Sequence, residues 1–509
     1  MKLYDNEWGF SVEHTNPFRI FPLLQKVAQV QLGADTATDL SRGDPGFGYA
    51  PSVRGREFLS FLLFLDTKLN KPGRSFLETK KDEEGRVLED IATFARAAYV
   101  PALAERYLKD LSEFIQRSQK IANEQGVNWS AYDVLYEIFK SSAVSGGTYH
   151  DPQGEKLIRL IIAWWHRKTL ATPIDYEDLV FTAGASHAIG SLFKFLGQEG
   201  IQFLSQGDKV VISSPVYSPY NAILERRGAE VINISIDPFT GQIAPESLST
   251  LENLKGVKLL LLIDPNNPTG YSMDERMLRT LAEFARKQDA LVISDEVYSS
   301  FFEDRSSIVD LCPERVVRIQ ARSKIERSTG LRFCDVLINK QANDYLSKQL
   351  FKGRLPNGHD FKTAFIFAKG PGGIYGEFQH TTFVPGPAQF LGAAHILLGA
   401  EERQTYREWC VQNRNLFCET LGLKHAGNLY YIIFDLNDVP GCNKQDVPPE
   451  QKIMDLAKLG VIFLPANLFF SEADRAKTSR MNYVRASLVN ATPEKLKQAA
   501  EITLRYLTS

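Results

Sequence analysis

The sequence predicts an α/β fold: a three-layer large domain around a mostly parallel sheet, a smaller α+β domain, and a block of helices. Three observations carry this. Between residues 179 and 339, short runs rich in β-branched residues alternate with amphipathic stretches. Residues 85–140 are helical in pattern almost without a break, and residues 386–509 mix helical stretches with short apolar runs. The runs in the first block are apolar throughout, which suits strands covered on both faces.

In chain order, residues 1–50 form an N-terminal segment expected to belong to the small domain. Residues 51–145 are expected to be mainly helical, 146–385 to form the large domain, and 386–509 the C-terminal small domain. Within the helical part, "FLSFLLFL" (58–65) is too short to span a bilayer and reads as a buried helix or a subunit contact. The large domain's strands are "LVFTAG", "DKVVISSP", "AEVINIS", "VKLLLLIDP", "ALVISDE", "RVVRIQ" and "CDVLIN". Helical segments such as "DERMLRTLAEFARKQ" separate some of them, the pattern of a parallel sheet. The Gly/Pro-rich stretch 368–390 reads as a loop and boundary. Beyond it, "NLYYIIFDL" and "GVIFLPA" supply strands for the smaller domain.

The chain has 509 residues, with 59 basic and 61 acidic side chains and a net charge of −2. That balance gives no electrostatic support to a nucleic-acid or membrane-surface role. The 5 cysteines are odd in number and lack metal-ligand spacing, as do the 8 histidines, so neither a disulfide framework nor a metal site is expected. The opening residues show no apolar signal-peptide core, and the expectation is a reduced, cytoplasmic enzyme. One region departs from neutrality. Arg315, Arg318, Arg322, Lys324, Arg327 and Arg332 cluster at the end of one strand. A solvated loop, a nucleic-acid patch, and a lysine nucleophile beside an anion-binding arginine are the three readings. With the global charge near zero, the cluster is expected to bind one small dianion.

In parallel sheets ligands bind outside the carboxyl ends of the strands, so the residues after each strand are the informative ones. After "LVF", Gly184, Ala185 and Ser186 open a helix, where free N–H groups suit a phosphate. After "VVISSP", Tyr217 offers an aromatic face. After "LLLLIDP", the turn "NNPTG" places Asn267 at a strand end. After "ALVIS", Asp295 is a carboxylate that is costly to bury unless it meets a cation, and Tyr298 follows three residues on. The basic cluster then supplies Lys324 and Arg332. Pyridoxal phosphate needs such a set: an amine for its aldehyde, a carboxylate for its pyridine nitrogen, and N–H donors with an arginine for its phosphate.

On these residues the sequence resembles the fold-type I pyridoxal-phosphate enzymes, specifically the class I/II aminotransferases. The matching motifs are "GDPGF" (43–47), Tyr149 in "GTYHDPQG", "TAGASHA", "SPVY", "NNPTG", "DEVY", "SK" followed by "TGLR", and "RASL" (485–488), in family order across almost the whole chain. The resemblance implies that Lys324 binds the cofactor aldehyde covalently and shuttles the proton, with Asp295 at the pyridine nitrogen. Asn267 and Tyr298 are implied to contact the ring hydroxyl, and Tyr217 to stack on the ring. Gly184, Ala185, Ser186, Ser323 and Arg332 are implied at the phosphate. Tyr149 is implied to reach the phosphate site of a neighbouring subunit, which implies a homodimer. Arg485 is implied to clamp the substrate α-carboxylate, whose bidentate geometry the arginine fork suits. Gly43, Arg42 and Asn267 are the other implied substrate contacts. The substrates implied are an amino acid and a 2-oxo acid.

The sequence departs from the family at two positions. Ala321 stands where a serine is usual, and Cys334 where a glycine is usual. The long spacing between Phe47 and Tyr149 implies a helical insertion. That insertion, "NPF" near the start and the Arg-Gly pair in "SRGDPGF" resemble the aspartate 4-decarboxylase branch, although Phe21 stands where that branch has a lysine. A decarboxylase or lyase of this type is therefore the alternative to an aminotransferase. A nucleotide-binding module using "GPGGIYG" (370–376) lacks the G-x-G-x-x-G spacing. A non-catalytic protein would leave Lys324 and Asp295 without a use.

Overall fold

A computed structural model of the chain describes residues 2–5, 10–13, 17–32, 37–45, 53–70, 84–142, 150–356, 358–367, 384–424, 430–471 and 482–509. Tyr149, Phe47 and the "GPGGIYG" loop lie outside the described residues. The chain divides into two compact units. The first comprises Met1–Ala50, Leu204–Leu311 and Gln404–Ser509; the second comprises Pro51–Phe203 and Cys312–Arg403. The stretch 146–385 is thus shared between the units, as is 386–509.

In the first unit, Val257–Ile263 reads "VKLLLLI", and all but Lys258 are buried. It pairs in parallel with Leu291–Asp295 on one side and Lys209–Ser214 on the other, and the latter pairs in parallel with Glu230–Ser235. The helix Glu275–Gln288 returns the chain between two of these strands. Asp274 caps it, accepting a hydrogen bond from Met277 N at 2.8 Å. Register brings Ile263 opposite Asp295, so both strands end at one level.

The same unit holds a three-stranded antiparallel sheet in which Tyr483–Ser487 lies between Tyr431–Asp435 and Leu464–Pro465. Helices Pro17–Leu32 and Pro449–Lys458 share its core, with Ile20, Leu24, Ile432, Ile453 and Val484 among the buried residues. Thr38–Asp39 pairs in parallel with Val461–Ile462. N-terminal residues thereby build the layer made mainly of C-terminal ones.

In the second unit, Cys334–Leu337 runs antiparallel to both Leu179–Thr182 and Val316–Ala321. Helices fill the rest. Gly386–Leu398 is apolar apart from Gln389 and His395, and every residue of it except Pro387 is buried. A helix of that composition needs cover all round. It packs against Arg54–Leu69, Pro101–Glu124, Ala131–Ser142 and Lys156–His166. The "FLSFLLFL" run is therefore internal: Phe58, Phe61, Leu62 and Leu65 are buried, and the Phe58 ring lies 5.7 Å from Phe114 and 5.8 Å from Phe390. Arg54 anchors its start, reaching Asp110 at 2.6 Å and Glu113 at 2.9 Å. No described helix is long and apolar enough to cross a membrane.

Candidate active site

In the first unit the strand ends converge on Arg485, in the strand Tyr483–Ser487. It is 3% exposed. Its Nη1 donates to Asn267 Oδ1 at 3.1 Å and its Nη2 to the Ser41 carbonyl at 2.6 Å. The guanidinium also lies 4.3 Å from the Tyr431 ring centre and 5.1 Å from that of Phe469. Its Nε is buried without a hydrogen-bond partner. Among the described residues no carboxylate pairs with it; all these contacts are to neutral groups.

Asn267 is held by its turn: Gly270 N donates to Asn266 O at 2.7 Å, and Asn266 Nδ2 to the Pro215 carbonyl at 3.2 Å. Asp295 is 6% exposed, and both carboxylate oxygens accept hydrogen bonds, Oδ1 from Val297 N at 3.1 Å and Oδ2 from the Tyr220 hydroxyl. Tyr220 also meets Tyr217 edge-on at 5.7 Å between ring centres. Tyr220 escaped the sequence reading, although its place three residues after Tyr217 in a helical turn was a signal. Tyr430 and Tyr431, also missed, both donate to the Gly43 carbonyl at 3.1 Å. Tyr298 must then donate to the Tyr431 oxygen, 3.0 Å away. Burial raises the hydroxyls of Tyr298 and Tyr430 well above their usual range, so both stay protonated. A Cβ on Gly43 would sit 3.0 Å from the Tyr431 oxygen, which explains the glycine. Arg42 has a different setting. Its side chain is 56% exposed and pairs with Asp44 at 3.4 Å.

In the second unit, Gly184 caps the helix Ala185–Gly197 with φ +89°, a conformation few other residues adopt. His187 N donates to the Gly184 carbonyl at 3.0 Å, which leaves the N–H groups of Ala185 and Ser186, at the first two helical positions, without an intrahelical acceptor. The Arg332 guanidinium lies over this turn, close enough that a Cβ on Gly184 would be 2.4 Å from its Nη2. Arg332 and Ser186 are exposed, and Ala185 is half-buried. Ser323 is buried and Lys324 half-buried on the connection after Val316–Ala321, where the Ser323 carbonyl accepts from Thr329 Oγ1 at 3.0 Å. The two departures from the family pattern are direct cross-strand partners: Ala321 faces Cys334. Both are buried, so the smaller residue at one position offsets the larger at the other.

The expectation that the basic cluster serves one dianion needs correcting, because most of its arginines have protein partners. Arg315 lies over the Tyr345 ring at 4.4 Å and donates to its hydroxyl at 2.6 Å. Arg322 pairs with Asp335 at 3.0 Å, Asp335 accepts from His166 Nε2 at 2.7 Å, and Arg318 donates to His166 Nδ1 at 2.7 Å. This arrangement requires a neutral imidazole protonated on Nε2. Burial, aided by both arginines, lowers His166 to about 4. A buried run of arginines forces such pairing. Arg332 alone of these arginines stands at the Gly184 turn.

Residues 125–349 match the model of the family "Aminotransferase class I and II". Among curated proteins, the chain is 29% identical over 197 residues to an arginine–pyruvate transaminase of Pseudomonas aeruginosa, a match that covers 38% of this chain and 48% of that one. It is 30% identical over 175 residues to a bifunctional aspartate aminotransferase and L-aspartate beta-decarboxylase of a Pseudomonas species, covering 33% and 32%. The chain thus spans about half or less of the length of these two relatives. The fold matches the crystal structure of aspartate aminotransferase from Thermotoga maritima, with a TM-score of 0.60, 18% identity, and 98% and 100% of the two chains covered.

The cofactor of that family is pyridoxal phosphate, and each unit, taken by itself, holds residues that fit part of it. The open N–H groups beside Arg332, in a turn where Gly184 leaves out a Cβ, suit a phosphate. The buried carboxylate of Asp295 suits a protonated ring nitrogen, and Asn267 and Tyr298 carry polar groups for a ring hydroxyl.

Proposed function

We propose that this protein is a pyridoxal-phosphate-dependent aminotransferase that moves an amino group between an amino acid and a 2-oxo acid. The observation that carries the reading is Arg485: a buried cation whose partners among the described residues are all neutral calls for an anion, and a substrate α-carboxylate supplies it. When bound, the protonated pyridine of the cofactor takes up the electron pair released as the substrate α-C–H bond breaks.

The chain's own residues have these roles in the proposal. Lys324 holds the cofactor aldehyde through its amine and, once displaced by substrate, carries the proton to and from the α-carbon. Asp295 keeps the ring nitrogen protonated, and Tyr220 and the Val297 N–H orient that carboxylate. Asn267 and Tyr298 hydrogen-bond the ring hydroxyl, and Tyr217 covers the ring face. Gly184, Ala185, Ser186, Ser323 and Arg332 hold the phosphate. Gly43 supplies close backbone approach near Arg485. Arg42 is the weaker candidate for a second substrate carboxylate, and its exposure and pairing with Asp44 favour a non-acidic substrate side chain. A homodimer in which Tyr149 completes the neighbouring phosphate site, a cytoplasmic setting, and an accessory helical insertion at 51–145 belong to the same proposal.

The test is a half-reaction screen. Each amino acid is mixed with the purified protein, and loss of the cofactor's aldehyde absorbance with gain of the amine form is followed. Conversion by at least one amino acid, reversed by a 2-oxo acid, is the expected result. Borohydride reduction should label one lysine, Lys324, and Lys324→Ala should abolish the label; a label retained at another single lysine would overturn the assignment. Alanine released from aspartate without any 2-oxo acid would move the reading to a carboxy-lyase.

A further inference from the structure

Arg305 lies outside every motif that the family resemblance uses, and its side chain is only 9% exposed. Its Nη2 meets Asp264 Oδ2 at 2.5 Å and its Nη1 meets Glu296 Oε2 at 2.6 Å. The two carboxylates are 2% and 0% exposed. The remaining oxygens are also engaged. Asp264 Oδ1 accepts from Met273 N at 2.8 Å and from Ser272 Oγ at 3.1 Å. Glu296 Oε1 accepts from Ser307 Oγ at 2.7 Å and from Ser294 Oγ at 3.2 Å. Arg305 also donates to the Asp264 carbonyl at 3.3 Å and to Ser272 Oγ at 3.5 Å.

The position of the two carboxylates gives this cluster its meaning. Asp264 ends one parallel strand and leads into the turn that presents Asn267. Glu296 directly follows Asp295 on the neighbouring strand and precedes Tyr298 by two residues. Asp264 N donates to the Asp295 carbonyl at 3.0 Å, so the two strand ends are already adjacent. Beyond that bond the ladder stops, and the planar fork of one arginine spans both chains. Burying two carboxylates around one cation is a poor way to gain stability alone, since apolar replacements of such groups are often neutral or better.

We propose that Arg305 is a positioning residue. By bridging Asp264 and Glu296 it sets the spacing between the Asn267 turn and the Asp295–Tyr298 segment, and so the geometry of the ring contacts. The inference rests on the aminotransferase reading. It concerns the ring-binding half of the cofactor site, not the phosphate turn at Gly184 and Arg332.

The experiment compares full-length wild type, Arg305→Lys, and the neutralised triple variant Arg305→Met/Asp264→Asn/Glu296→Gln. The triple variant is included because Arg305→Met alone would leave two buried carboxylates unpaired. Three quantities are read on apoprotein: Tm, the Kd for pyridoxal phosphate by absorbance titration, and the Ki of inorganic phosphate as a competitor for that binding. The expected result is a triple variant with Tm within a few degrees of wild type, a phosphate Ki unchanged within twofold, and a cofactor Kd weakened at least tenfold. Arg305→Lys should fall between, because a single nitrogen on a shorter side chain replaces the two nitrogens that Arg305 sets one on each carboxylate. Cofactor binding equal to wild type in the triple variant overturns the inference alone. So does a fall in Tm accompanied by a parallel rise in both the cofactor Kd and the phosphate Ki, which would mark a purely structural cluster. Wild-type apoprotein that binds no pyridoxal phosphate overturns the aminotransferase reading and this inference with it.

Discussion

Arg322 and Arg485 are both nearly inaccessible, at 1% and 3% exposure, but their surroundings differ in one respect. Arg322 has Asp335 at 3.0 Å. Arg485 has an amide oxygen, a carbonyl oxygen and two aromatic rings, and among the described residues no carboxylate. Two buried arginines in two units thus have different electrostatic status. One has its charge paired within the fold, by Asp335 in a network that also holds His166 and Arg318. The other is desolvated and held in place with no counterion among the described residues. Burial of a charge therefore does not by itself separate structure from function. The identity of the partner does, because an uncompensated buried cation is costly and persists where a ligand anion relieves it.

Removing the internal counterion should have the largest effect. Asp335→Asn removes the carboxylate that pairs with Arg322, and a loss of about 3–5 kcal/mol of stability is expected. Chemical denaturation measures it. If Asp335→Asn unfolds at the same denaturant concentration as wild type, the contrast with Arg485 collapses.

The same network predicts an acid response. His166 is lowered from its ordinary 6.5 to about 4 in the fold. Below pH 6.5 the unfolded chain takes up a proton that the folded chain refuses until about pH 4. Stability present above pH 6.5 is therefore lost as pH falls through that window, by roughly 3 kcal/mol for this group. His395, lowered to about 3, acts in the same direction. Asp178, raised to about 6, opposes them between its ordinary 3.8 and 6, where the folded state binds the extra proton. A net fall in Tm from pH 6.5 to 4.5 is expected, and it should be shallower in His166→Gln.

Arg485→Leu should cost little stability but lower kcat/KM for every amino acid by about ten- to a hundredfold, the worth of a charge-assisted hydrogen bond of roughly 1.5–3 kcal/mol. A large stability loss with unchanged kcat/KM would place Arg485 with Arg322 instead. Arg42→Leu should be the smallest change, within about 0.5 kcal/mol of stability. Kinetically, an effect limited to aspartate and glutamate would give Arg42 a carboxylate-binding role; none at all fits a surface pair with Asp44.

Much of the fold was legible in sequence. The apolar runs from 209 to 295 became parallel strands, and Asn267, Asp295 and Tyr298 were found because each follows a buried strand by a fixed short count. The helix start at Gly184 was legible because small residues at a strand-to-helix junction are a local feature. The basic cluster was misread because its arginines were counted as one group, when His166 and Asp335, 169 residues apart, decide what two of them do.

The sequence by itself determined which segments are strands, where the turns fall, and which residue types stand at the strand ends. Those depend on periodicity and turn chemistry, which act over a few residues. Only the tertiary structure decided that Tyr220 serves Asp295, that Arg305 bridges two strand ends, and that Arg485 meets Asn267 across 218 residues with no carboxylate beside it among the described residues. The physical reason is that a buried charge is balanced through space, by groups that distant parts of the chain bring within a few ångströms, and no local pattern records which groups those are.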